Sequence, residues 1–276
     1  MRGAGTRLRT YLSFLGRQMK AFWKRLGQRI RDKLSARGYT CDCCGGEVFE
    51  YPVQRLCGDC QSRLYKNDGS ICEKCGRKTL AKGICLDCKS ELPQFTKGFS
   101  PLEYRGETCA LINRLKNGDR RLSYFLGAYM ADSFLQEYTE KGRFLREGGE
   151  EEWLIVYVPA TQERVWQRGY NQAEDLAHAL ANELFNRGYA VAEGEEVLVK
   201  TRETVDQKHL GQSERRKNLS GAFHAHKRKI CRGKTILLID DVMTTGATGS
   251  ECAKVLLGAG AEKVLFLSAA SVSERK

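Results

Sequence analysis

Two carboxylates stand side by side at Asp240 and Asp241. They follow the apolar run Ile236–Ile239 and lead into the small-residue stretch Thr244-Thr245-Gly246-Ala247-Thr248. A loop that opens a helix presents free backbone N–H groups at the positive end of the helix dipole, which suits a phosphate. Gly246 lets the backbone approach closely, and the hydroxyls of Thr244, Thr245 and Thr248 add donors. Adjacent carboxylates cannot serve that same anion, but as acceptors they suit the vicinal hydroxyls of a sugar. The segment therefore reads as a site for a ribose 5-phosphate. The plainer alternative is a buried strand ending in a turn with solvated acids, and it gives no reason for acids and loop to occur together.

Eight of the twelve cysteines fall into four Cys-x-x-Cys pairs: Cys41/Cys44, Cys57/Cys60, Cys72/Cys75 and Cys85/Cys88. Two thiolates two residues apart on a tight turn reach one zinc ion, and two such pairs complete a tetrahedron. Large aliphatic residues are sparse here, so bound metal would supply stability that burial cannot. The order of the pairs suggests two successive zinc ribbons, Cys41/44/57/60 and Cys72/75/85/88, with a cross-braced pairing as the alternative. A disulfide framework would need an oxidising compartment, and no secretory apolar region or cleavage site leads there. Cys43 reads as a spectator, and Cys109, Cys231 and Cys252 as small core hydrophobes. None of the four histidines has a partner that would make it a nucleophile or ligand.

Positioning these groups calls for an alternation of strands and helices. Ile236–Ile239 reads as a strand buried on both faces, stopping at the acids, and Gly249–Gly260 as the helix after the loop. Trp153–Val158 is a second buried strand, Val197–Val199 a third, and Val264–Ala270 closes the sheet. Phe95–Tyr104 reads as a pair of strands, and Cys109–Lys116, Ser123–Tyr138 and Gln172–Arg187 as helices. The pattern is that of a parallel α/β sheet flanked by helices. Residues 141–152 read as a surface loop, and the polar stretch 202–220 as a loop long enough to close over a site.

The net charge of +12 is concentrated at one end. Residues 1–40 carry eleven Lys or Arg against the single acid Asp32, while the rest of the chain holds 35 basic and 33 acidic side chains. Leu8, Leu12, Leu15, Met19, Phe22, Trp23, Leu26, Ile30 and Leu34 recur at helical spacing within this basic segment. A basic amphipathic helix over 1–38 suits an anionic membrane surface or a nucleic acid, or else docks on the protein body or on a second copy. No run of 18 apolar residues spans a membrane. The expected organisation is a helical extension over 1–38, a double zinc-ribbon module over 41–92 and an α/β domain over 95–276. The expected location is the cytoplasm, or peripheral at a membrane.

Residues 236–248 resemble the binding motif for phosphoribosyl pyrophosphate (PRPP) of type I phosphoribosyltransferases. Val158-Pro159-Ala160-Thr161, with Gln167-Arg168-Gly169-Tyr170-Asn171-Gln172-Ala173, resembles the "VPVP…RGFNQA" segment of the ComF/GntX family of competence-associated proteins. Leu111–Lys116 and Arg202…Gln207…Leu210…Arg215-Arg216…Asn218…Phe223 resemble further signatures of that family. The likeness runs from Cys41 to nearly the last residue. It departs where the second proline gives way to Ala160-Thr161, which loosens the loop where pyrophosphate is expected.

The resemblance implies a type I phosphoribosyltransferase fold. In it Asp240 and Asp241 hold the ribose hydroxyls, and Thr244, Thr245, Gly246, Ala247 and Thr248 hold the 5-phosphate. Pro159, Ala160 and Arg168 face the pyrophosphate, which magnesium would bridge. Asp240, Asp241 and Arg168 are the catalytic candidates; Arg202, Gln207, Arg215 and Arg216 belong to a closing hood, and Lys116 is a further candidate. The family name implies a role in DNA uptake and natural transformation, alongside single-stranded DNA and proteins of the competence machinery. Three readings stand: phosphoribosyl transfer to an unnamed acceptor, PRPP sensing without turnover by a DNA-binding competence factor, and a zinc-ribbon adaptor.

Overall fold

The computed structural model describes residues 40–49, 55–139, 152–189, 191–194, 196–202 and 218–274. The basic segment 1–38 and most of the hood, 203–217, lie outside the described residues.

The described residues begin with two cysteine modules. In each, the second Cys-x-x-Cys pair opens a short helix, α1 (Gly58–Ser62) or α2 (Leu86–Ser90), with Cys57 and Cys85 as the capping residues. Two short strands follow, β1 (Lys97–Phe99) and β2 (Leu102–Glu103), then helices α3 (Gly106–Lys116) and α4 (Leu122–Thr139). Strand β3 (Trp153–Tyr157) leads into a short helix α5 (Gln162–Arg168) and the longer α6 (Gln172–Asn186). Strand β4 (Ala192–Glu193) and a two-stranded unit, β5 (Leu198–Lys200) with β6 (Phe223–Ala225), come next. A 3-10 turn (Arg228–Cys231), β7 (Thr235–Met243), α7 (Ala247–Gly258) and β8 (Lys263–Ser271) complete the chain.

All pairings in the main sheet are parallel, in the order β1-β8-β7-β3-β4, with β2 also on β8. Side chains along a strand alternate between faces, and that alternation divides the core in two. Ile155, Leu237, Ile239, Leu265 and Leu267 pack toward α3, α4 and α6. Leu154, Val156, Ile236, Leu238, Val264 and Phe266 pack toward α7 with Cys252 and Leu256. Helices on both faces bury both sides of β7 and β8, which explains their nearly unbroken apolar runs. The expected parallel sheet flanked by helices, preceded by two four-cysteine clusters, is the architecture found.

Three features differ from expectation. Strand β7 does not stop at Ile239: pairing with β8 continues through Asp240↔Ser268 to Met243↔Ser271, which carries both acids inside the strand. Strand β8 does not close the sheet; it lies between β7 and β1 and is paired on both sides. The strand near Val197 pairs antiparallel with β6, outside the main sheet, with Val199 opposite His224. Helix α5 is a further element, in a stretch whose glycine and polar residues hide it. Thr161 caps it by accepting from Arg164 N at 3.3 Å, which gives a local reason for threonine at that position.

Candidate functional site

Strand β3 ends alongside β7, with Tyr157 opposite Ile239 and Val158 N donating to Ile239 O at 2.9 Å. The chain therefore leaves β3 through Pro159 and Ala160 at the level of Asp240, while β7 itself runs on to Met243. In open α/β sheets ligands bind beyond the carboxyl ends of the strands.

Consecutive positions on a strand face opposite ways, and the two acids obey this rule. Asp241 is 6 % exposed and points to the α3 side, where Lys116 Nζ lies 3.1 Å from its Oδ2. Asp240 lies on the α7 side near Cys252, whose thiol is pushed well up by burial and by that carboxylate. Its Oδ1 accepts Asp241 N–H at 2.8 Å. Burial and the neighbouring Asp241 charge push the Asp240 carboxyl up to about 8, while Lys116 and Lys200 pull it down. The two acids thus differ in partner and exposure, a difference their adjacency in sequence does not convey.

After Met243 the chain turns through Thr244 and Thr245 into α7. Gly246 caps that helix with φ 77°, a left-handed conformation that favours glycine. Ala247 N reaches Thr245 Oγ1 at 3.4 Å, and Ser250 N donates to Gly246 O at 2.8 Å. Thr244 is exposed, while Thr245 and Thr248 are half-buried. A twelve-residue helix therefore begins where hydroxyl-bearing residues sit at the sheet edge.

Arg168 ends α5, and Gly169 caps it with φ 83°. Its Nη1 donates to Gln172 Oε1 at 3.1 Å across the turn, and Asn171 then caps α6 by accepting from Ala173 N at 3.1 Å. Asn171 Nδ2 also donates to Val158 O at 3.0 Å, tying the Arg168 turn to the end of β3. Arg168 is thus held near the β3 loop by its neighbours and by its bond to Gln172. His178, which carried no functional expectation, pairs with Glu193.

The cysteines form two separate clusters, Cys41/Cys44/Cys57/Cys60 and Cys72/Cys75/Cys85/Cys88, with sulfur atoms within 4.8 Å of one another in each. The pairing is sequential rather than cross-braced. Tetrahedral zinc with sulfur at about 2.3 Å requires sulfurs about 3.8 Å apart. Cys44 and Cys57 are separated by 3.7 Å, as are Cys75 and Cys85. Backbone N–H groups aim at the sulfurs: Gly46 at Cys44 (3.4 Å), Cys75 at Cys72 (3.5 Å) and Cys85 at Cys72 (3.3 Å). Donors of this kind favour thiolates, so both clusters fit structural zinc. Cys43 stands outside the set; its carbonyl accepts from Arg114 Nη1 at 2.6 Å.

Two cations near this site carried no expectation from the sequence. Lys200 bears on Asp240 from β5. Arg77, two residues beyond Cys75, donates from Nη2 to Thr244 O at 2.7 Å across 167 residues of sequence. Nothing in a linear reading connects a residue of a metal knuckle to the turn after β7.

No family model matches the chain. It is similar to the DNA utilization protein YhgH of Salmonella typhimurium, 30% identical over 210 residues that cover 76% of this chain and 87% of that protein. It is 26% identical over 216 residues to the competence protein ComFC of Bacillus subtilis, covering 76% and 80%. With competence protein F of Haemophilus influenzae it shares 27% over 233 residues, covering 82% and 94%. Among solved structures, the glutamine PRPP amidotransferase of B. subtilis with ADP and GMP aligns at 18% identity and a TM-score of 0.33. That alignment covers 55% of this chain, which spans only 27% of that structure, and a score so low carries no inference. The YhgH and competence-protein relatives, matched over most of their own lengths, and the two cysteine clusters ahead of a parallel sheet identify this chain as a member of the ComF family of competence and DNA-utilization proteins.

Proposed function

We propose that the chain binds PRPP at the carboxyl edge of its parallel sheet and acts in DNA uptake as a phosphoribosyltransferase-like protein. The observation that carries the reading is the end of β7, where Asp240 and Asp241 stand one turn of chain ahead of the Gly246 cap that opens α7. In this reading the turn 244–248 holds the 5-phosphate through backbone N–H groups and threonine hydroxyls. Asp240 and Asp241 accept from the ribose hydroxyls across the end of the strand. Pro159, Ala160 and Arg168 face the pyrophosphate from the neighbouring β3 loop.

Breaking the C1–pyrophosphate bond passes through an oxocarbenium-like state, so the protein has to hold the ribose still, receive the leaving charge and exclude water. Arg168 supplies positive charge, and the hood 202–218 the cover. Magnesium prefers substrate phosphates and few protein ligands, a demand that the two carboxylates and a pyrophosphate meet together. When bound it neutralises charge on the leaving group. The names of the relatives support a place in DNA utilization and competence, with single-stranded DNA and competence-machinery proteins as partners. The basic segment 1–38 supplies the contact to nucleic acid or to an anionic membrane surface.

Calorimetric titration of magnesium and PRPP into the zinc-replete protein tests this. Binding by the intact chain that is lost in the Asp240→Ala/Asp241→Ala variant is the expected result; no binding by the intact chain would defeat the proposal. Pyrophosphate release on adding an acceptor then separates a transferase from a sensor.

A further inference from the structure

The two metal modules differ in what they touch. The first packs through Val48, Leu56 and Leu64 into the core of α3 and α4. The second shares a core with the turn after β7: Cys72, Cys75, Cys85 and Cys88 cluster with Phe95, Met243, Ala247 and Cys252. Its contact with the sheet is backbone on backbone. Gly98 N donates to Lys74 O at 2.8 Å, and a Cβ on either Gly76 or Gly98 would overlap the main chain of the other segment. Gln94 N donates to Ser250 Oγ at 3.0 Å in the first turn of α7.

One side chain runs through this contact. Arg77 is 4 % exposed, and its carbonyl accepts Cys72 N–H at 2.8 Å to close the first knuckle. Its Nη1 donates to Asp87 Oδ2 at 2.6 Å, between Cys85 and Cys88 of the second knuckle. Its Nη2 donates to Thr244 O at 2.7 Å, at the first residue of the turn. A planar guanidinium holds two acceptors in fixed relation, which an ammonium cannot do.

We propose that Arg77 is a positioning residue through which the second metal module fixes the phosphate turn, so that metal at Cys72/75/85/88, and not at Cys41/44/57/60, governs the turn's hold on its ligand. This rests on the reading of 244–248 as the phosphate site. A segment this poor in aliphatic residues depends on metal to keep its two knuckles together. When they separate, Asp87 no longer orients Arg77, and Thr244 O loses its charged donor.

Hydrogen exchange of the amides of 244–250 in the full zinc-loaded chain tests the proposal, with zinc content and PRPP affinity read alongside. Arg77→Met should keep two zinc ions, speed exchange of the turn about tenfold and leave β3 unchanged, with PRPP affinity about tenfold weaker. Asp87→Asn should move both readouts in the same direction by less. Cys44→Ser should lose one zinc ion and leave the turn at its wild-type rate. A turn unaltered by Arg77→Met, or one loosened equally by Cys44→Ser, would overturn the proposal. If Arg77→Met sheds zinc, Arg77→Lys decides on the zinc-loaded variant: a faster turn supports the assignment and an unaltered one overturns it. Failure of the wild type to bind PRPP would remove the ligand assignment, while exchange would still decide the coupling.

Discussion

Lys116 closes the last turn of α3 with its ammonium 3.1 Å from Asp241 Oδ2, so a residue 125 positions earlier in the chain neutralises the second acid of β7. Any ligand hydroxyl that approaches Asp241 meets a carboxylate already engaged. Asp240, by contrast, faces the other side of the strand, where Lys116 and Lys200 only partly offset burial and the Asp241 charge.

The Lys116–Asp241 pair is mostly buried, with side-chain exposures of 24% and 8%. Lys116→Met leaves the carboxylate without its cation and should cost about 1–3 kcal/mol in urea unfolding of the zinc-loaded protein. Asp241→Asn should cost less, and the double variant less than the sum, with a coupling of at least about 1 kcal/mol. Strict additivity would mean that the pair contributes nothing.

The raised carboxyl of Asp240 makes a pH prediction with a definite sign. Its ordinary value of 3.8 applies to the unfolded chain, and about 8 to the folded one. Between these limits the folded chain holds a proton that the unfolded chain releases, so stability falls as pH rises through that window. The wild type should therefore lose stability relative to Asp240→Asn from pH 4 to pH 8. Binding that needs the ionised carboxylate should strengthen over the same range. Parallel stability curves for the two proteins would contradict the assignment.

Gly246 and Gly98 should respond to alanine for different reasons. At Gly246 a Cβ has room, 3.7 Å from the Phe95 ring, and only the φ of 77° opposes it. Gly246→Ala should cost about 1–2 kcal/mol and weaken PRPP binding. Gly98→Ala drives a Cβ into the main chain at Cys75, so the second module has to move, and the cost should exceed about 3 kcal/mol. Thermal unfolding ranks the two, and equal effects would contradict the backbone contact.

Zinc analysis of the purified chain should return two ions. With zinc bound, the eight clustered thiols should resist alkylation, and a strong chelator should expose them and lower the unfolding temperature. Full alkylation of Cys41 or Cys72 in zinc-loaded protein would count against the clusters as metal sites.

The sheet and the cysteine clusters were legible because each writes itself along the chain. Ile236–Ile239 carries the signature of a strand buried on both faces, and Cys-x-x-Cys is a ligand pattern by spacing alone. The end of β7 is not legible because charge reads as a boundary, whereas pairing with β8 carries the strand through Asp240 and Asp241 to Met243. The pairing of cysteine knuckles depends on how two turns meet, and spacing leaves that open. Lys200 and Arg77 were invisible for the same reason: each is an ordinary surface type in sequence, brought to the site only by tertiary contact.

The placement of β8 between β7 and β1 has a consequence for the birth of the molecule. Lys97 pairs with Leu265, and among the described residues the sheet partner of β1 is β8. At roughly 5–20 residues per second on the ribosome, β1 waits about ten to thirty seconds for the strand it docks on. Zinc can close the cysteine modules during that interval, and would then hold the neighbouring chain compact until its partner emerges.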